Sequence, residues 1–204
     1  MEVRKKKLIE NSEVIDAAEQ AINGNGRLHL LGLISDGGAH SHIGHLFGLL
    51  DSFKQLKVPK VFVHFFADGR DASPTSGAVF LQQLLDFLIA EDYGELATIV
   101  GRYYAMDRDK RWDRIKALIF EKISFFGFSF FLKVAYEALV GGVGEQCEPA
   151  NAVQLVNGRY AIQQTDEFLM PIVFSDEARV KDNDTLVFFN YRADRMRQIT
   201  KCMG

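Results

Sequence analysis

The chain has 204 residues, of which 48% are hydrophobic and 25% are charged, as is usual for a globular protein. This length is sufficient for one sizeable domain that needs neither disulfides nor metal ions to hold it together. The formal net charge of −3 argues against a general nucleic-acid-binding protein, so any anion site must be a local concentration of positive charge.

The cysteines and the apolar segments indicate the cellular compartment of the protein. Cys147 and Cys202 do not form a ligand-spaced pair, and two isolated thiols suit a reducing compartment better than a disulfide framework. A basic run, Lys5–Lys7, has no apolar core after it and so does not predict a secretory signal. The longest apolar stretch, about 117–132, contains charged residues and is too short for a membrane span. We expect a cytoplasmic protein that binds neither membranes nor nucleic acid.

Helical and strand-like patterns alternate along the chain. A helix over 12–22, capped by Asn11 or Ser12, precedes the first strand. The predicted strands are 27–35, 61–66, 96–100 and 185–190. The helices predicted after them are 40–56, a segment with Leu81, Leu84, Leu85 and Leu88 on one face, a segment from about Lys110, and a helix that opens in 191–197. This alternation predicts an α/β fold of three layers, α/β/α, with a mainly parallel sheet in a single domain over 1–204.

Polar loops follow all four predicted strands. In open parallel sheets, ligands bind beyond the carboxyl ends of the strands. In strand order, these loops contain Asp36, His40 and His42, then Asp68, Arg70 and Asp71, then Arg102, Asp107 and Arg108, and finally Arg192, Asp194 and Arg195. If the strands are parallel neighbours, five arginines converge on one edge of an acidic protein. The pattern predicts a site for a small phosphorylated anion.

Arg192 and Arg195 are the most informative of these arginines. They are spaced i, i+3 in a predicted first helical turn, where the helix dipole disfavours cations. An anion bound at the helix N-terminus would remove that conflict, and the planar guanidinium suits phosphate and carboxylate. An alternative interpretation pairs the arginines in structural salt bridges with Asp68, Asp71, Asp107 and Asp194. The two interpretations are compatible, because carboxylates commonly orient arginines that bind anions.

The histidines do not indicate a metal site. His42 and His45 share a helical face and His40 lies nearby, but no cysteine or clearly matched acidic residue completes a ligand set. His40 follows a Gly-Gly turn and is better interpreted as a hydrogen-bond donor to an anion. His29 and His64 lie within strands, as is typical of satisfied core residues. The chain also has no P-loop, GxGxxG or GxSxG motif, so it offers an anion site without an evident catalytic nucleophile.

Five segments occur together in the order found in one enzyme family. They are SDGGAHSHIGHL (35–46), HFFADGRDASP (64–74), GRYYAMDRDKRWDR (101–114), TDEFLMPIV (165–173) and FFNYRADRMR (188–197). These segments resemble the cofactor-independent (2,3-bisphosphoglycerate-independent) phosphoglycerate mutases. The resemblance covers nearly the whole chain from about Leu8.

The resemblance implies a two-domain enzyme that interconverts 3-phosphoglycerate and 2-phosphoglycerate. One domain is phosphatase-like, with a serine nucleophile and two manganese or magnesium ions, and the inserted domain binds the substrate. This chain matches only the inserted domain, so we expect it to bind no metal, to need the phosphatase-like half as a partner and to be inactive alone. The implied substrate contacts are His40, Arg70, Asp71, Arg102, Arg108, Arg192 and Arg195.

One segment departs from the family pattern. Between RWDRIK and VAYEALVGG the chain has about 17 additional residues, 117–133, with six phenylalanines. They are either a buried helix extension or, as we favour, extra sequence that does not belong to the native fold. For the function, a non-catalytic phospho-ligand-binding module and a truncated, inactive gene product stay open as alternatives.

Overall fold

The computed structural model describes residues 8–106 and 130–203, and in these ranges six strands form one sheet. The strands are β1 (Arg27–Ile34), β2 (Lys60–Ala67), β3 (Glu95–Gly101), β4 (Glu145–Gln146), β5 (Ile172–Val173) and β6 (Thr185–Phe188). Their order across the sheet is β4-β5-β3-β2-β1-β6. Only the β3–β5 pair is antiparallel among the strands described. The prediction of a mainly parallel sheet is confirmed.

Helices cover both faces of this sheet. The helices described are α1 (Ser12–Asn23), α2 (Ile43–Gln55), α3 (Gly77–Glu91), α4 (Arg102–Ala105), α5 (Phe130–Leu139), α6 (Ala152–Ala161) and α7 (Arg197–Met203). Helices α1, α2, α3 and α6 contribute to the apolar core on one face, and α4, α5 and α7 to the core on the other. This is the predicted three-layer α/β/α arrangement.

The central strand β1 explains why the sequence requires two helical layers. Its side chains alternate, so that Leu28 and Leu30 enter one core while Leu31 and Leu33 enter the other, all four with no exposed surface. Burying a leucine stabilises a protein by roughly 1.5–3 kcal/mol relative to leaving it exposed. A strand that is apolar on both sides therefore needs helices on both faces.

The ends of three strands lie in register, and this places the loops. Ile34 of β1 pairs with Ala67 of β2, which pairs with Gly101 of β3. The first residue after each strand must therefore leave the same edge of the sheet, beside its neighbour. We refer to this as the carboxyl edge.

The helix predicted to open in 191–197 begins only at the end of that range. Strand β6 ends at Phe188, a 3-10 turn occupies Ala193–Arg195, and α7 begins at Arg197. The backbone stays extended because Asn190 Oδ1 accepts a hydrogen bond from Leu33 N at 2.9 Å and Tyr191 N donates to His40 O at 2.6 Å. Arg192 and Arg195 consequently lie before the α-helix, and the helix-dipole argument for an anion there does not apply.

The phenylalanine-rich segment 117–133 lies mostly outside the described residues. Its last residues begin α5, where Leu132 is buried in the core. The interpretation of this segment as extra sequence stays a prediction, as does the single-domain organisation over 1–204. None of the helices in the described part of the chain is both long enough and apolar enough to cross a membrane.

Candidate anion-binding site

Ser35, Asp68 and Arg102 form a hydrogen-bonded row along the carboxyl edge. They are the first residues after β1, β2 and β3. Ser35 Oγ donates to Asp68 Oδ2 at 2.6 Å, and Arg102 Nη1 donates to Asp68 Oδ1 at 2.5 Å. All three are buried, with Arg102 only 5% exposed. A buried ion pair between Arg102 and Asp68 therefore lies at the edge of the sheet.

A second pair of side chains joins this row. Asp71 Oδ2 accepts a hydrogen bond from His40 Nδ1 and lies 3.4 Å from Arg102 Nη1. Partial burial alone would raise the pKa of Asp71, but the hydrogen bond from His40 and the charge of Arg102 outweigh it and lower that pKa. The Asp71 carboxylate is thus ionised at neutral pH and orients the imidazole.

The other ring nitrogen of His40 has no partner in the part of the chain that the structure describes. Within the described residues, His40 Nε2 and Arg179 Nε are the buried side-chain nitrogen or oxygen atoms that make no hydrogen bond. His40 itself is 5% exposed. Buried polar groups are nearly always paired, so an unpaired nitrogen beside the Arg102 ion-pair cluster is a candidate ligand contact.

Two glycines allow the loops to approach each other closely. A Cβ on Gly37 would lie 2.6 Å from the carbonyl oxygen of Asp71, so the loop that carries His40 reaches Asp71 only with glycine there. Gly69 has φ +73° and faces the backbone nitrogen of Glu167, 2.7 Å from where its Cβ would be. The turn after β2 therefore combines a left-handed residue with a close backbone contact.

The predicted site residues occupy different environments. His40, Asp71 and Arg102 lie together in the buried cluster. Arg70 is exposed and lies 3.6 Å from Glu167, and Arg192 is exposed and lies 3.5 Å from Asp194. The expected salt bridges to aspartates are thus present for Arg102 and Arg192, whereas Arg70 faces a glutamate instead. The remaining two predicted residues are Arg108, outside the described residues, and Arg195, whose side chain the structure does not describe.

The family described as "BPG-independent PGAM N-terminus" has a sequence profile that matches residues 1–123 and 131–204. The chain belongs to this family. The two matched ranges leave 124–130 between them, inside the phenylalanine-rich segment.

Named relatives agree with this family assignment. The 2,3-bisphosphoglycerate-independent phosphoglycerate mutases of Brugia malayi and Caenorhabditis elegans are 59% and 52% identical to the chain, over 99% of it in each case. The chain spans about 36% and 35% of their lengths. A crystal structure of Leishmania mexicana phosphoglycerate mutase at low cobalt concentration has the same fold, with a TM-score of 0.69, 22% identity and coverage of 97% of this chain and 37% of that one.

Residue types that bind metal ions are not clustered in the described part of this mutase-family chain. No group of three or more histidines, cysteines, aspartates or glutamates lies close enough together there to hold one. His42 Nδ1 instead accepts a hydrogen bond from Gly44 N at the start of α2, and His45 Nδ1 bonds to the Tyr191 hydroxyl.

The predicted set of site residues omits some side chains that lie at this site. Ser35 and Glu167 lie in the family segments 35–46 and 165–173 but are not among the predicted site residues. Asp68 is predicted as a salt-bridge partner of the arginines and not as a ligand contact. The signal for Ser35 and Asp68 was available, because aligned ends of neighbouring parallel strands bring their next residues together. Glu167 arrives from a distant loop, which the local sequence does not indicate.

His29 and His64 lie away from the site in a buried hydrogen-bonded chain. His29 Nε2 bonds to Asp184 Oδ2 at 2.7 Å and His29 Nδ1 to His64 Nε2 at 2.9 Å, while His64 Nδ1 bonds to Thr98 Oγ1 at 2.9 Å. Neither ring has exposed surface. The prediction that they are satisfied core residues is confirmed.

Proposed function

We propose that this chain binds 3-phosphoglycerate and 2-phosphoglycerate at the carboxyl edge of its sheet and holds the glycerate while the phosphoryl group is exchanged. The exchange is assigned to a phosphatase-like part of the full-length enzyme, which supplies a serine nucleophile and two manganese or magnesium ions. Relatives named as phosphoglycerate mutases, of which the chain spans about 36%, support this division of roles. The role of this chain is to hold and orient the substrate, which lowers the entropic part of the barrier.

The unpaired His40 Nε2 is the observation that carries the proposal. A buried polar atom without a partner costs about 1–3 kcal/mol, which a bound oxygen would recover. Since Nδ1 donates its proton to Asp71, a neutral His40 accepts at Nε2, and an imidazolium donates there. Phosphoglycerate has hydroxyl donors and anionic oxygen acceptors, so it can satisfy the ring in either state.

The exposed arginines complement the charge of such a ligand. The separations of 3.6 Å from Arg70 to Glu167 and 3.5 Å from Arg192 to Asp194 join partly exposed groups, so each pair contributes little. Both guanidinium groups can therefore exchange a weak partner for phosphate or carboxylate, which they bind through two parallel hydrogen bonds. Arg108 and Arg195 stay predicted contacts of the same kind.

Calorimetric titration of the chain with 3-phosphoglycerate tests this proposal. Wild-type protein should bind, and Arg70→Ala and Arg192→Ala should each weaken the affinity by roughly tenfold, because each removes a charge-assisted contact. Lys60→Ala is the matched control, since it removes an exposed positive charge at the opposite end of β2. Its affinity should equal that of the wild type.

Two results would count against the proposal. Folded wild-type chain that takes up no ligand would reject the binding function, and an unchanged affinity for Arg192→Ala would remove Arg192 from the site. A mutase assay with manganese addresses the division of roles separately. Turnover by this chain alone would contradict the assignment of the phosphoryl exchange to another part of the enzyme.

A further inference from the structure

Asp68 connects the elements of the carboxyl edge. Its Oδ1 accepts hydrogen bonds from Arg102 Nη1 at 2.5 Å, from Arg70 N at 3.1 Å and from Asp71 N at 3.0 Å. Its Oδ2 accepts from Ser35 Oγ at 2.6 Å. The carboxylate is 2% exposed and receives four donors from three neighbouring strand ends.

We infer that Asp68 is a positioning residue, which fixes the Arg102 guanidinium and the loop with Arg70 and Asp71 in the geometry that receives the phosphoglycerate. This inference rests on the proposed function. Asp68 acts through these neighbours and makes no contact with the ligand itself.

The charges around Arg102 give the physical reason. Arg102 Nη1 lies 2.5 Å from Asp68 but 3.4 Å from Asp71, so Asp68 holds the guanidinium more closely. A buried arginine without its carboxylate becomes an uncompensated charge and shifts to find another partner. Asp71 is the nearest remaining acceptor, but its oxygen already accepts from His40, so Arg102 would exchange between partners without one fixed geometry and would loosen the His40 contact. Losing Asp68 should thus disturb two of the predicted ligand contacts, Arg102 and His40.

The Asp68→Asn variant separates the holding of the Arg102 guanidinium from the hydrogen bonds that Asp68 makes within its own loop. The asparagine oxygen can still accept from the amides of Arg70 and Asp71, as is common in such turns. Its amide group can donate to Ser35 Oγ, which is also an acceptor. The variant therefore keeps the turn but removes the negative charge that holds Arg102.

A ligand-free measurement tests the positioning directly. In nitrogen-15 NMR spectra, a guanidinium held by a carboxylate rotates slowly and gives separate Nη signals. The Arg102 signal, assigned by its loss in Arg102→Gln, should be resolved in the wild type and averaged in Asp68→Asn. Arg27 is the internal reference, because it donates to Asp184, Glu177 and the Arg179 carbonyl and does not touch Asp68.

A double-mutant cycle then tests the effect on binding. Asp68→Asn should weaken the affinity for 3-phosphoglycerate by roughly tenfold in the wild-type background. It should add less than about twofold in the Arg102→Gln background, because coupled residues are not additive. If Asp68→Asn does not fold, Ser35→Ala takes its place, because it removes one hydrogen bond to Asp68 without changing its charge. The averaging of the Arg102 signal and the loss of affinity should then both appear, but to a smaller extent.

The outcomes are distinct. A resolved Arg102 signal in folded Asp68→Asn, or a full tenfold loss of affinity that persists without Arg102, would overturn the inference. If wild-type chain shows the resolved Arg102 signal but binds no phosphoglycerate, the proposed function fails. In that case the averaged signal in Asp68→Asn would still establish that Asp68 positions Arg102.

Discussion

Replacing Asp166 with alanine should lower the free energy of unfolding by about 3 kcal/mol, because it leaves buried hydrogen-bond donors unpaired. Asp166 has no exposed surface and lies in the 3-10 turn Asp166–Phe168. Its Oδ2 accepts from Gly77 N at 2.7 Å, and its Oδ1 accepts from the Tyr160 hydroxyl. That hydroxyl in turn accepts from Ala78 N at 3.0 Å. Asp166 thus caps the N-terminus of α3 from 89 residues away in the chain.

Urea unfolding and amide hydrogen exchange together test this prediction. The amides of Gly77 and Ala78 should lose protection in Asp166→Ala. Tyr160→Phe should cost less, about 1–2 kcal/mol, since it removes only the bridging hydroxyl. Glu167→Ala is the matched control, because the ion pair of the neighbouring Glu167 with exposed Arg70 is long, at 3.6 Å, and its loss should change the free energy of unfolding by less than about 0.5 kcal/mol. An Asp166→Ala protein with wild-type stability and unchanged exchange at α3 would contradict this account of the cap.

Lowering the pH from 7 to 5 should destabilise the protein by about 2 kcal/mol through His29 alone, with His64 adding to the loss. Burial lowers the pKa of His29 to about 4, against the opposing hydrogen bond to Asp184. Burial, reinforced by the neighbouring His29, also lowers the pKa of His64 well below its usual value of 6.5. Below pH 6.5 the unfolded chain binds protons that the folded protein does not. Stability therefore falls with pH from about 6.5 until His29 itself titrates near 4.

The hydrogen bonds explain why both rings stay neutral. Burial alone would raise the pKa of Asp184, but hydrogen bonds from Arg27 and other donors lower it, so Asp184 is ionised and only accepts. His29 Nε2 must then be the donor, which leaves His29 Nδ1 as an acceptor for the Nε2 proton of His64. Thr98 donates to the remaining nitrogen of His64. If His29 gained a second proton at Nδ1, that N–H would face the Nε2–H of His64, and two donors would meet without an acceptor.

Unfolding free energies measured in urea between pH 5 and 7 test this prediction. His64→Gln should reduce the pH dependence, because glutamine can bridge the same partners without titrating in this range. His42→Asn is the matched control: it removes an exposed histidine and keeps an acceptor at the start of α2. A wild-type stability that is constant between pH 7 and 5, or a His29 resonance that titrates near 6.5, would be inconsistent with the buried neutral pair.

The regular part of the fold follows from local patterns in the sequence. Strand β1 is apolar on both faces, and α1 is capped by Asn11, whose side chain accepts from Glu13 N and Val14 N. Both elements are therefore predictable from nearby residues. The two-residue strands β4 and β5 are too short to show a period. The onset of α7 depends on hydrogen bonds that the chain makes to Leu33 and His40, which no local pattern encodes.

For the site, the sequence predicts which residues meet but not how they pair. Parallel strands with aligned ends bring His40, Asp71 and Arg102 to one edge, and the sequence indicates which residues follow each strand. The sequence does not indicate which carboxylate holds which cation, because Asp68 and Asp71 lie within one turn and both lie near Arg102. That choice depends on differences of about 1 Å, which arise only when the loops pack.

The central claim is that the carboxyl edge binds phosphoglycerate, and NMR mapping of amide shifts during titration with 3-phosphoglycerate tests it most directly. The amides of 36–40, 69–71 and 102, together with Arg192, should shift at millimolar ligand. Those around His29 and Asp184, in the separate buried chain, should not. Shifts confined to any other surface, or none in a folded protein, would contradict the claim.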